Sequence, residues 1–242
     1  MKNQLRSIRF TKFQIFVHIA AIIPLVWLVL DYFTDNLTFN PIQAVTLRTG
    51  RAAIILLVFS LACTPINTLF GFRQAIKVRR ALGLYAFMYA SIHFIIFLGV
   101  DYRFDLRLIF EEIVTKRYII AGFLAGLILL PLAITSTKGW MKRLGIRWKK
   151  LHKLVYIAGL LAVAHYIWVV KSDYRLPLVI GAVLVFLLIA RIPSVRKLLA
   201  NLNISRRLKG INSSLVNRSR NNIQTRKDRS ERYVSRTNEM EI

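Results

Sequence analysis

The sequence predicts an all-α membrane protein, a bundle of six transmembrane helices with both termini in the cytoplasm. Three observations carry that expectation. Of 242 residues, 55 % are hydrophobic and only 19 % are charged. The apolar residues gather into runs close to the roughly 20 residues a helix needs to cross the hydrocarbon core. The charged residues gather in the loops, with their sign alternating from one loop to the next.

The runs are Phe13–Tyr32, Ala52–Phe70, Leu82–Val100, Tyr118–Ile134, Leu154–Val170 and Leu176–Ile192, the last two being the shortest. Lipid cannot satisfy bare backbone groups and barrel strands are shorter than these runs, so each is expected to be a helix. The first run follows a basic stretch, as in a signal peptide. It is longer than a typical h-region and no small-residue cleavage site follows at Asp31–Asn36, so it reads as a retained helix. Pro65 and Pro131 fall near the ends of their runs, where a kink is tolerated. Gly122 and Gly126 form a G-x-x-x-G, best explained by helix packing. No internal repeat is evident.

Charge sets the orientation. Lys2, Arg6, Arg9 and Lys12, then Arg73, Lys77, Arg79 and Arg80, then the stretch from Lys138 to Lys153 are basic and contain no acidic residue. The opposite loops hold Asp31, Asp35, Asp101, Asp105, Glu111, Glu112 and Asp173. The positive-inside rule puts the basic loops in the cytoplasm. Basic loops and a basic tail also account for the formal net charge of +25 without invoking nucleic acid. The expected organisation is a cytoplasmic N-terminus (1–12), a transmembrane domain (13–192) and a basic cytoplasmic tail (193–242). Val195–Leu208 is amphipathic enough to lie on anionic lipid. Beyond Gly210 there are too few apolar residues to build a core, and disorder is expected.

The single cysteine, Cys63, excludes an intrachain disulfide, and the lack of C-x-x-C-H excludes covalent c-type heme. The histidines are more informative. There are four: His18, His93, His152 and His165. A lone intramembrane histidine is most simply an interhelical hydrogen bond. His93 and His165, however, each lie about 11 residues into a run that leaves the cytoplasm, so they share a depth of roughly 17 Å. Each also has alanine three and seven residues earlier, Ala90 and Ala86 for one, Ala162 and Ala158 for the other. A pair of histidines at one level with small neighbours is how helical bundles hold low-spin b-type heme. Alanine is also common at membrane interfaces, so the pattern supports the pair without proving it.

His152 lies 13 residues before His165, and the equivalent position before His93 is Arg80, so no second His–His site comes from the same two helices. As a quinone or flavin contact, or as an interfacial residue, His152 is as well accounted for as by a second heme. His18 lies at a similar depth and is expected to reach water. Arg103, Arg107, Lys171 and Arg175 are on the outer side, where cations suit heme propionates or serve as ordinary loop charges.

Three segments carry a family resemblance: RRALGLYAFMYASIHF (Arg79–Phe94), TKRYIIAGFLAGLILLPLAITS (Thr115–Ser136) and RWKKLHKLVYIAGLLAVAHYIWVVK (Arg147–Lys171). Together they resemble the MsrQ (YedZ) family, within the ferric-reductase-like transmembrane group, over about Thr49 to Asp173. The resemblance implies a heme b electron-transfer subunit of a bacterial inner membrane, with FMN as a further cofactor. It implies that electrons come from the quinone pool and pass to a periplasmic, molybdopterin-containing methionine sulfoxide reductase that repairs oxidised proteins. The family's three histidines match His93, His152 and His165. The long basic tail departs from the short C-terminus of the family.

Two other classes compete. A ferric reductase or NADPH-oxidase-like enzyme needs a cytoplasmic nucleotide-binding module, and no Gly-rich fingerprint follows Ile192. A transporter or scaffold would use the histidines for proton relay or packing, but transporters usually place ionisable groups or broken helices at midplane, and no Asp, Glu, Lys or Arg lies deep in any run.

Overall fold

The computed structural model describes residues 10–170 and 173–195. The expectations for Lys2, Arg6, Arg9, Lys171 and nearly all of the basic tail lie outside those residues. Among the described residues there are helices and turns and no strand.

Helix α1 (Lys12–Phe33) starts at a capping box in which the Thr11 hydroxyl accepts from Gln14 N–H and the Gln14 side chain accepts from Thr11 N–H. Helix α2 (Pro41–Phe70) begins about three turns before its apolar run. Asn40 caps it, Pro41 occupies the first turn, and Gly71 in a left-handed conformation ends it. Helix α3 (Arg73–Ile96) passes into a single π-helical turn, Phe97–Asp101. Helix α4 (Leu106–Thr115), capped by Asp105, is a short element that hydropathy did not reveal. Helix α5 (Arg117–Ile134) follows directly, hinged at Lys116. Two further short helices, α6 (Lys138–Leu144) and α7 (Ile146–Leu151), lead through a tight turn at His152–Leu154 into α8 (Val155–Val169). Helix α9 (Arg175–Ile189) is the last long helix among the described residues.

Among the described residues, five helical stretches are long and apolar enough to cross a membrane: α1, α2, α3 with its π turn, α5, and α7 to α8 taken together. The sixth apolar run forms α9, whose 15 residues reach about 22 Å. The outer faces explain why such a bundle needs lipid. Phe16, Trp27, Ile95 and Phe186 are 66 %, 65 %, 59 % and 61 % exposed, an apolar coat that water would not tolerate.

Four helices surround the centre. Helices α2 and α3 form one tight antiparallel hairpin and α5 and α8 another, while α3 also touches α5 and α2 also touches α8. Helices α3 and α8 therefore stand diagonally across the bundle. Helix α1 packs on the first hairpin, and α9 on α8 and α2. One buried cluster joins Ala21, Leu57, Leu82, Ala86, Leu129 and Ala158, and a second joins Ile54 and Leu61 to Val163, Ile180 and Leu184.

Two polar devices hold the outer helices. Proline at position 24 interrupts α1, and the buried Tyr89 hydroxyl of α3 enters the gap. It donates to Ala21 O at 2.8 Å and accepts from Leu25 N–H at 3.0 Å, the two groups an unbroken helix would join directly. At the end of α9, the Arg191 guanidinium donates to Tyr156 Oη at 2.7 Å and to Leu61 O at 2.6 Å. That one side chain ties α9 to both α8 and α2.

Candidate functional site

His93 lies in the last turn of α3 and His165 in the corresponding part of α8. Because α3 begins at Arg73, His93 is about 30 Å from its start rather than the 17 Å expected from the apolar run alone. The shared level holds. Across the bundle the imidazoles face each other with ring centroids 6.0 Å apart and planes at 82°.

Each ring is fixed in the same way. His93 Nδ1 is 2.8 Å from Thr46 O, and His165 Nδ1 is 2.7 Å from Tyr118 O. A carbonyl oxygen only accepts, so each Nδ1 carries the proton and each Nε2 keeps its lone pair. A backbone carbonyl on Nδ1 is the usual way a metal-ligating histidine is oriented. Geometry agrees with that chemistry: a metal–imidazole bond of about 2 Å and about 1 Å from nitrogen to ring centre, taken twice, give a centroid separation of about 6 Å. Among the described residues no group of three or more His, Cys, Asp or Glu is placed to hold a bare metal ion. The pair suits a metal whose remaining positions are filled by a macrocycle.

Glycine allows the approach. A Cβ on Gly50 would lie 3.1 Å from the His93 ring, and a Cβ on Gly122 would lie 2.8 Å from His165 Nδ1. Gly122 thus seats an imidazole, whereas its partner in the G-x-x-x-G, Gly126, has open space around it. The alanines divide by depth. Ala86 and Ala158, 1 % and 0 % exposed, are sealed into one buried cluster beneath the pair, while Ala90 and Ala162 are only partly covered.

These parts repeat. Thr46 and Tyr118, Gly50 and Gly122, Ala86 and Ala158, Ala90 and Ala162, and His93 and His165 are each 72 residues apart. The expectation of no internal repeat is therefore corrected at the level of the site. Each hairpin supplies a carbonyl and a glycine from its first helix and an alanine-backed imidazole from its second. Both hairpins run in the same sense, as in parallel repeats related by an axis along the membrane normal.

Just outside the repeat, the Lys116–Glu112 ion pair pins the joint between α4 and α5, two residues before the carbonyl of Tyr118. The hydrogen bond to Glu112 holds the Lys116 ammonium above its ordinary pKa. Directly after His93, the π turn is packed by Phe97 against Tyr102, their centroids 4.8 Å apart.

The other histidines are engaged elsewhere. His152 sits at the opposite end of α8, with Nε2 3.2 Å from Thr135 Oγ1 and the Trp148 ring against it, centroids 4.0 Å apart and planes tilted by 31°. The Thr135 hydroxyl is 2.6 Å from Pro131 O and donates there, so it accepts from His152 Nε2–H. His18 Nδ1 bonds the Tyr85 hydroxyl at 2.9 Å, an interhelical contact rather than a route to water. Of the outer cations, Arg107 pairs with Glu111 at 3.2 Å, and Arg103 lies in a left-handed turn with φ 49°. Arg175 opens α9, its N–H on Asp173 at 3.1 Å.

Residues 49–163 match the family described as "Ferric reductase like transmembrane component". A relative from Xanthomonas axonopodis pv. citri, "Protein-methionine-sulfoxide reductase heme-binding subunit MsrQ", is 46 % identical over 178 residues, 71 % of this chain and 82 % of the relative. The protein of the same name from Rhodospirillum rubrum is 42 % identical over 186 residues, 76 % of this chain and 89 % of the relative. That from Xanthomonas oryzae pv. oryzae is 45 % identical over 178 residues.

Proposed function

The chain belongs to the MsrQ family, as a multi-pass membrane protein with a ferric-reductase-like component, and on that premise we propose that it holds a b-type heme between His93 and His165 for electron transfer. The observation that carries this reading is the matched pair of imidazoles, their ring centroids 6.0 Å apart and each with Nδ1–H committed to a carbonyl. Iron in the macrocycle supplies the redox chemistry. The protein fixes both ligands and half-buries them.

The relatives are named as heme-binding subunits of a protein-methionine-sulfoxide reductase, and the rest of the proposal adds what the family resemblance implies. Electrons enter from the quinone pool and leave to a periplasmic, molybdopterin-containing methionine sulfoxide reductase, which repairs oxidised proteins. The basic end of the bundle, with α6 and α7, faces the cytoplasm of a bacterial inner membrane. Helix α9 serves as the sixth span, so that residues 1–12 and 193–242 share the cytoplasmic side. The His pair then lies toward the periplasm, where release to a soluble partner is shortest. FMN is included through resemblance. The Trp148–His152 contact next to Lys149 and Lys150 is the part of the described chain whose aromatic and cationic chemistry suits a flavin phosphate. His152 is assigned there rather than to the pair.

The test is an oxidised and reduced absorption spectrum of the purified chain, with heme quantified, for the native protein and for His93→Ala and His165→Ala. The native protein should show a low-spin b-type spectrum and each variant should lose it. A normal bis-histidine spectrum in both variants would rule the pairing out.

A further inference from the structure

A second site, unrelated to the histidines, lies between α1 and α2 with α3 as its floor. It is a cleft of about 770 Å³, within the range of about 300–1,000 Å³ typical of small-molecule sites. Its walls run from Phe13 and Phe72 at the basic end to Trp27, Arg48 and Arg51 at the far end. From Phe13 to Trp27 along α1 is about 21 Å, more than the roughly 15 Å that one leaflet of the hydrocarbon core contributes. One extended acyl chain fits that length.

The far end is where the polarity lies. Counting the roughly 20 residues of a span back from Phe70 brings the hydrocarbon boundary to Arg51, so both arginines stand at headgroup level. Exposed Trp27 beside them is the kind of residue that marks that interface. Arg48 is ion-paired with Asp31. Arg51 is exposed and, among the described residues, has no hydrogen-bond or ion-pair partner. An unneutralised guanidinium at the mouth of an apolar slot calls for an anionic head on an apolar tail.

The remaining polar groups lining the cleft are already committed. The Tyr89 hydroxyl is held between Ala21 O and Leu25 N–H, the Thr49 hydroxyl donates to Val45 O at 2.8 Å, and the Cys63 thiol donates to Phe59 O at 3.2 Å. Among the described residues no carboxylate or imidazole lines the cleft, so none of them would take the protons released by an oxidised quinol. We infer that the cleft between α1 and α2 is a binding site for an anionic phospholipid, its phosphate on Arg51 and one acyl chain along α1.

The full chain would be placed in nanodiscs of phosphatidylcholine containing a minor share of phosphatidylglycerol. It would then be extracted in mild detergent and its retained lipid read by native mass spectrometry, with heme absorbance recorded on the same samples. Two variants are compared with the native chain: Arg51→Gln, which removes the charge, and Ile55→Trp, which fills the slot. The native chain should retain phosphatidylglycerol in preference to phosphatidylcholine. Arg51→Gln should lower that retention about tenfold, the loss of one charge-assisted contact, and Ile55→Trp should lower it as well, while heme absorbance stays at the native level in both. Inorganic phosphate added at extraction should not displace the lipid, because the acyl chain contributes to binding; displacement would reduce the site to a phosphate site. Equal retention of the two lipids, retention of a quinone instead, or native phosphatidylglycerol retention in both variants would overturn the assignment. Loss of heme in His93→Ala with the lipid still retained would leave it standing.

Discussion

His93 and His165 face each other across the bundle at a centroid separation of 6.0 Å, and each is bound through Nδ1 to the carbonyl of the residue 47 positions before it. Equal loops of chain thus deliver equal parts, one hairpin on each side. Neither half contains a complete site.

The glycines beneath the rings give the most direct test of that symmetry. An alanine Cβ at position 122 would fall 2.8 Å from His165 Nδ1, and one at position 50 would fall 3.1 Å from His93. Both Gly122→Ala and Gly50→Ala should turn the imidazole off its carbonyl and weaken heme retention by about 10–100-fold, the usual cost of disturbing the support of a ligand. The effect should be larger at 122. Heme-to-protein ratios after purification decide it, and native ratios in both variants would contradict the geometry.

His152→Ala should leave the low-spin spectrum and the heme content of the His93–His165 pair unchanged. The substitution removes the Thr135 and Trp148 contacts, both at the other end of α8. A loss of heme signal comparable to that in His165→Ala would show a ligand role.

Tyr89→Phe should destabilise the protein without bleaching it. The change strands Ala21 O and Leu25 N–H beside Pro24, at a cost of about 1–3 kcal/mol for buried groups left unpaired. At roughly 2–4 °C per kcal/mol, thermal unfolding in detergent should register the shift. An unchanged Tm would mean that α1 closes the gap by itself.

Arg191→Met keeps the length of the side chain but gives up both hydrogen bonds, to Tyr156 Oη and Leu61 O. A loss of about 2–3 kcal/mol is expected from bonds to a charged donor. It should be accompanied by faster proteolysis at the α8–α9 connection, since α9 is held chiefly by that anchor and one apolar face. Native resistance to protease would show that packing alone holds the helix.

Much of this arrangement is legible in the sequence. His93 and His165 stand out because two histidines at one depth, each with alanine at the same two offsets, are hard to explain as packing. Their supports do not stand out. The carbonyls of Thr46 and Tyr118 have no side-chain signature, and Gly122 reads as half of a packing motif until His165 is seen against it. A scan for a constant 72-residue offset around the histidines would have found Gly50 and Gly122, though not the two carbonyls. The extended start of α2 was also within reach: Asn40 followed by Pro41 is a helix-start signal, but the turns after it carry Gln43, Arg48 and Arg51, so hydropathy alone passes over them. Helix α4 is missed for the same reason, being amphipathic and only 10 residues long.

The diagonal placement of α3 and α8 bears on what the site avoids. Were a heme iron held between them, imidazoles arriving from opposite sides would leave dioxygen and other small molecules no coordination position. A cell pays for leaky one-electron carriers in superoxide, and a carrier closed on both faces would hand its charge only to a docked acceptor.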